Sequence, residues 1–87
     1  MTWRVELDDD ARKALRKLDK QAARRIVNKL REVEGLADPT DMGKPLTANR
    51  AGFWVYRVGD YRLICDIQFG RLIVLVIEIQ HRSENYR

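Results

Sequence analysis

Cysteine and histidine each occur once in the 87 residues, proline twice and glycine five times. The lone Cys65 excludes an internal disulfide and a multi-cysteine metal site, and it fits a reducing compartment such as the cytosol. The longest unbroken apolar run, residues 72–77, is far shorter than the roughly 20 residues a spanning helix needs. The opening MTWRVELDDD carries no apolar signal region. A soluble, cytoplasmic protein without a membrane partner is therefore expected. No internal repeat or low-complexity stretch interrupts the chain, and 45% hydrophobic with 34% charged residues lies in the ordinary globular range. A 10.2 kDa chain hides about 64% of its unfolded surface in a single core. That supports one domain, residues 1–87, with little to spare.

The chain is rich in positive charge. Seventeen Lys and Arg against thirteen Asp and Glu leave a net +4 and a pI near 9.6, a balance that points to a polyanionic partner. Residues 2–7 alternate, with Trp3, Val5 and Leu7 on one face, which is the period of a half-buried strand. Asp8, Asp9 and Asp10 then supply an N-cap and first-turn negative charge to a helix with Ala11, Ala14, Leu15 and Leu18 on one stripe. A second helix from about Lys20 places Ala22, Ile26, Leu30 and Val33 on one side and stops at Gly35. The opposite side of this helical hairpin carries Arg12, Lys13, Arg16, Lys17, Lys20, Arg24, Arg25 and Lys29. Residues 37–52 read as a long ordered loop. Three apolar segments at about 53–58, 61–69 and 71–79 follow, separated by Gly59-Asp60 and Gly70, and so predict an antiparallel meander with the N-terminal strand beside its last member. The expected architecture is α+β: an antiparallel sheet of about four strands with the helical hairpin packed on one face.

If Gly59-Asp60 is a two-residue turn, Arg57 lies directly across from Arg62 on the face away from the helices. Two facing guanidiniums repel unless an anion sits between them, so the pair is either a phosphate clamp or is neutralised by Asp60, Asp66 or Glu78. His81, followed by Arg82 and Tyr86, has an unperturbed pKa suited to moving a proton at neutral pH, although a lone histidine at a strand end is usually inert. With the last strand beside the middle one, His81 and Tyr86 are expected to converge with the two arginines on one face. Such a constellation can cleave RNA without a metal or cofactor, because the 2′-OH attacks its own 3′ phosphate. Trp3, Phe53 and Trp54 are core residues or base-stacking platforms, and Cys65 reads as a small buried hydrophobe. Lys44 in GKPL lacks the glycine spacing of a phosphate-binding loop.

The order of strand, charged helical hairpin, GKPL at 43–46, FWVYRVGDYRLICDI at 53–67 and HRSENYR at 81–87 resembles the RelE/ParE superfamily of toxins from bacterial toxin-antitoxin modules. The resemblance covers nearly the whole chain, and residues 56–62 are its most specific part. A RelE-type member implies a ribosome-dependent endoribonuclease that enters the A site against 16S rRNA and cuts mRNA there, leaving a 2′,3′-cyclic phosphate. It also implies a RelB-like antitoxin that neutralises the toxin in a hetero-oligomeric complex. ParE-type members keep the fold and inhibit DNA gyrase instead. By the same resemblance Arg62 stabilises the scissile phosphate, Arg82 assists the leaving 5′ oxygen and Tyr86 stacks on or orients the nucleotide. Lys44, Arg50 and Arg57 are basic positions that hold RNA phosphate. Relatives often carry further basic residues before the Gly-Asp turn, where this chain has Phe53 and Val55, and deprotonation of the 2′-OH accordingly falls to His81, which stands where many relatives have histidine, or to Tyr86.

Overall fold

The computed structural model describes residues 2–83. β1 (Arg4–Leu7) leads into α1 (Asp9–Lys17) and α2 (Lys20–Glu34), and β2 (Lys44–Pro45), β3 (Trp54–Val58), β4 (Tyr61–Gln68) and β5 (Ile73–His81) follow. The strands form one sheet in the order β1-β5-β4-β3-β2, with β1 parallel to β5 and the other pairs antiparallel. The α+β architecture and the meander stand as read. The sheet, however, has five strands and not four. The additional strand lies inside the segment read as loop, which also contains 3-10 turns at Pro39–Met42 and Ala48–Arg50. A two-residue strand with a proline has no periodicity to reveal it, and an edge position tolerates the missing N–H.

Both helices begin on an aspartate. Asp8 Oδ1 accepts from the Ala11 N–H at 2.9 Å, and Asp19 Oδ1 accepts from the Ala22 N–H at 2.7 Å, each cap worth about 1 kcal/mol. The stripe predicted for α2 is the buried one: Ala22, Ile26, Leu30 and Val33. It packs with Ala11 and Trp3 against Tyr56, Val58, Leu63, Cys65, Ile67, Val74 and Val76 on the sheet, and burial of each large side chain contributes roughly 1.5–3 kcal/mol. Trp3 is therefore core, and its Nε1 donates to the Ala37 carbonyl at 3.2 Å.

Strand alternation divides the sheet into this helix-covered face and an open one. The β4–β5 ladder changes phase once: Ile64 pairs with Glu78 and Cys65 with Val76, so Ile77 is an extra residue on β5 without a partner. This bulge sends Val76 and Ile79 to the same helix-covered side and turns Glu78 and Gln80 to the open face. At the β1 edge, two outward-facing backbone groups are occupied by side chains. Val5 N–H donates to Glu34 Oε2 at 2.9 Å, and Arg12 Nη2 donates to the Leu7 carbonyl at 3.2 Å, which blunts an edge otherwise open to strand addition.

Candidate functional site

The hairpin between β3 and β4 turns through Gly59 (φ +56) and Asp60, whose φ is not positive. That is the type II′ pattern, whose twist matches the strands it joins. The register it imposes pairs Val58 with Tyr61 and Arg57 with Arg62. Tyr56 and Leu63 belong to the helix-covered core, so Arg57 and Arg62 stand together on the open face, as the spacing predicts. Lys44 pairs with Val55 on β2 and shares this face. Arg50 reaches it from the 3-10 turn before β3, and its Nη2 donates to Glu78 Oε1 at 2.6 Å. Four of the sequence-predicted basic residues, Lys44, Arg50, Arg57 and Arg62, are thus assembled on one surface.

Of the three carboxylates that could neutralise the arginine pair, two are engaged elsewhere. Asp66 accepts from Gln68 Nε2 at 3.0 Å, and Asp60 lies 3.7 Å from Arg82 Nη1. Glu78 faces the pair but is bound by Arg50 and by Gln80, whose Nε2 donates to Oε2 at 2.8 Å. Burial pushes the Glu78 carboxyl upward, yet the hydrogen bonds from Gln80 and Arg50 and the charges of Arg50 and Arg62 outweigh it and hold the group below its ordinary value. Among the described residues, neither Arg57 nor Arg62 makes an ion pair within 4 Å. The Nε of Arg62 is buried without a hydrogen-bond partner, at a cost of about 1–3 kcal/mol. The surface is therefore preorganised for a further anion, because its nearby carboxylate, Glu78, is already held by Arg50 and Gln80.

His81 departs from the expected convergence. It pairs with Tyr61, and the two rings meet edge to face at 5.0 Å. Tyr61 packs against the core, so His81 lies on the helix-covered side and Gln80 takes the place across from Arg62. The Ile77 bulge is the cause, because an unbroken ladder would put the opposite set of β5 side chains on the open face. The His81 ring is also engaged: Ser83 N–H donates to Nδ1 at 3.1 Å, which leaves the proton of the neutral ring on Nε2. Arg82 is docked at the hairpin turn, with its N–H donating to the Asp60 carbonyl at 2.6 Å. Tyr86 lies outside the described residues. The phenol of Tyr56 and the thiol of Cys65 are both pushed well up by burial, and neither offers an acid or a nucleophile near neutral pH. Among the described residues, no group of three or more His, Cys, Asp and Glu is placed to hold a metal ion, and no helix is long and apolar enough to cross a membrane.

Glu78 is the residue that sequence reasoning underused: it was one of three candidate counter-ions, and its distant partner Arg50 left no local signal. A family model for the ParE toxin of type II toxin-antitoxin systems matches residues 5–86. The chain is 36% identical over 50 residues to toxin RelG of Mycobacterium tuberculosis, a match covering 58% of each chain. It is 40% identical over 52 residues to toxin RelE of the same organism, covering 60% of this chain and 54% of that one. The matched stretch thus spans little more than half the length of these curated relatives. Among solved structures, the toxin-antitoxin complex RelBE2 of M. tuberculosis contains a chain that superposes with a TM-score of 0.85 at 28% identity, over 94% of this chain and 100% of that one. With the family model spanning nearly every residue and the fold shared end to end, the chain belongs to the ParE toxin family of type II toxin-antitoxin systems.

Proposed function

We propose that this toxin is a ribosome-dependent endoribonuclease that cuts mRNA in the A site and is neutralised by a RelB-like antitoxin. The observation that carries the reading is the Arg57–Arg62 pair, set face to face with Lys44 and Arg50 beside it and no carboxylate bound to either arginine of the pair. Such an arrangement suits a phosphate that gains charge during reaction, where preorganised donors contribute most. In this reading Arg57 and Arg62 stabilise the phosphorane and Lys44 and Arg50 hold flanking phosphates. Arg82, at the hairpin turn, supports the leaving 5′ oxygen. Proton transfer from the 2′-OH falls to His81 or Tyr86. Because the His81 ring faces the helix-covered side and its Nδ1 is already an acceptor, the weight falls on Tyr86, by resemblance. The products are a 2′,3′-cyclic phosphate and a 5′-OH, with no metal in the step. The solved relative found in a toxin-antitoxin complex supports the antitoxin.

A second reading, inhibition of DNA gyrase without nuclease activity, is favoured by the description of the matching family model and by the absence of His81 from the arginine face. A toeprint on translating ribosomes with purified protein separates the two. New mRNA ends within the A-site codon are expected. Intact mRNA together with inhibited supercoiling would establish the gyrase reading instead.

A further inference from the structure

The two rows of the open face nearest the hairpin turn, Lys44-Val55-Ile64-Glu78 and Arg57-Arg62-Gln80, contain a single carboxylate. Both of its oxygens are engaged, Oε1 by Arg50 at 2.6 Å and Oε2 by Gln80 at 2.8 Å. Gln80 sits directly across from Arg62, whose charge also acts on Glu78. A carboxylate and a phosphodiester each present a pair of terminal oxygens to a guanidinium, and they compete for the same fork. We propose that Glu78 is the resident anion of this face: it occupies Arg50 while the site is empty, and an incoming phosphate displaces it, so that Arg50 transfers from Glu78 to the ligand.

The loop that carries Arg50 is built for such a transfer. It is closed at its base by the Leu46 N–H donating to the Phe53 carbonyl at 2.9 Å. Above that bond it contains two residues of positive φ, Ala48 at +57 and Gly52 at +97. An alanine in the left-handed region costs about 1 kcal/mol, so the loop is held in place rather than relaxed. The Arg50–Glu78 contact ties its tip to β5 across 28 positions of sequence. A purely structural ion pair would have no reason to stand beside two arginines without partners. Here the pair supplies the one negative charge available to them, which lowers their mutual repulsion until a ligand arrives. The inference rests on the phosphate-binding reading of this face and deepens it by naming what the ligand must displace.

The test compares the parent protein with Glu78→Gln in titrations with inorganic phosphate and with a 2′-O-methyl RNA oligonucleotide, which cannot be cleaved. Glu78→Gln is expected to bind phosphate about fivefold more tightly, the size of a released exposed ion pair. The gain should vanish in an Arg50→Ala background, and Asp66→Asn, with the same charge change on the same face, should not reproduce it. Unchanged or weaker binding by Glu78→Gln, or an equal gain in the Arg50→Ala background, overturns the proposal. Should Glu78→Gln fail to fold, the Arg50 Nε–Hε NMR resonance of the parent reads the same exchange. It is expected to move with phosphate on the curve followed by Arg62, and a stationary Arg50 resonance counts against it. Phosphate exchange without binding of the oligonucleotide would sink the nuclease reading and leave this one standing.

Discussion

The two faces of the sheet are made from the same strands and obey opposite rules. On the helix-covered face, neighbouring residues complement one another: Leu63, Cys65, Val74 and Val76 are closed off by Ile26, Leu30 and Val33, and the buried hydroxyl of Tyr56 donates to the Pro39 carbonyl at 2.7 Å. On the open face, neighbours conflict. Arg57 confronts Arg62, Arg62 keeps a buried Nε without a partner, and a single glutamate serves several cations. The first arrangement lowers the free energy of the chain by itself, whereas the second is completed by something the chain does not contain. The helix-facing core and the arginine pair thus alternate along the same strands, and the arginine face adds its own buried apolar residues, Val55 and Ile64.

Arg62 and Leu63, adjacent on β4, give the sharpest way to break that comparison. Arg62→Ala is expected to abolish toxicity and slow A-site cleavage by hundreds-fold, about 3–4 kcal/mol of lost charge stabilisation, while its melting temperature stays near that of the parent. Near-parental cleavage by the purified variant would remove the arginine face from the mechanism. Leu63→Ala should do the reverse, costing about 2–5 kcal/mol of stability through the cavity it opens and leaving cleavage per folded molecule intact, as denaturant melts and active-fraction titration will report. His81→Ala is expected to slow cleavage less than about tenfold, because its ring lies on the structural face. A loss near a hundred-fold, typical of a proton-transfer group, together with an altered pH-rate profile, would assign the end of β5 to the chemistry after all.

The smallest expected effect is on acid stability. Glu78 titrates below its ordinary value in the folded chain. Its contribution is therefore complete above the unfolded carboxyl pKa and is lost as pH falls through the lower folded value. For so exposed a pair this amounts to less than about 1 kcal/mol. Melting curves between neutral pH and pH 3 should show a shallower acid limb for Glu78→Gln than for the parent. An identical slope would mean that the contact with Arg50 does not survive in solution.

The helix-covered face was legible in the sequence because its signals are local. The alternation of Trp3, Val5 and Leu7, the four-four-three spacing from Ala22 to Val33 and the Gly59-Asp60 turn each act over a few residues. The Arg57–Arg62 pairing was legible for the same reason, since a two-residue turn dictates what faces what. Two features of the open face were not. The contact between Arg50 and Glu78 joins distant residues through a loop whose course no periodicity encodes. The orientation of His81 depends on the phase of β5, and residues 72–77 are apolar throughout, so they conceal where that phase changes.

That phase change has a consequence for how the chain can vary. In a strand, sidedness is a matter of parity, and the unpaired Ile77 reverses the parity of every residue after it. If Ile77 were instead drawn into the ladder opposite Ile64, the occupants of the two faces would be exchanged: Glu78 and Gln80 would move toward the helices, Ile79 and His81 toward the arginines, whereas deleting Ile77 would only remove the bulge and leave both faces as they are. Changes of register within β5, including insertions and deletions that a bulge does not absorb, can therefore convert one surface chemistry into another on an otherwise constant scaffold. Two toxins with nearly the same residues here can present opposite sets of side chains to whatever they bind.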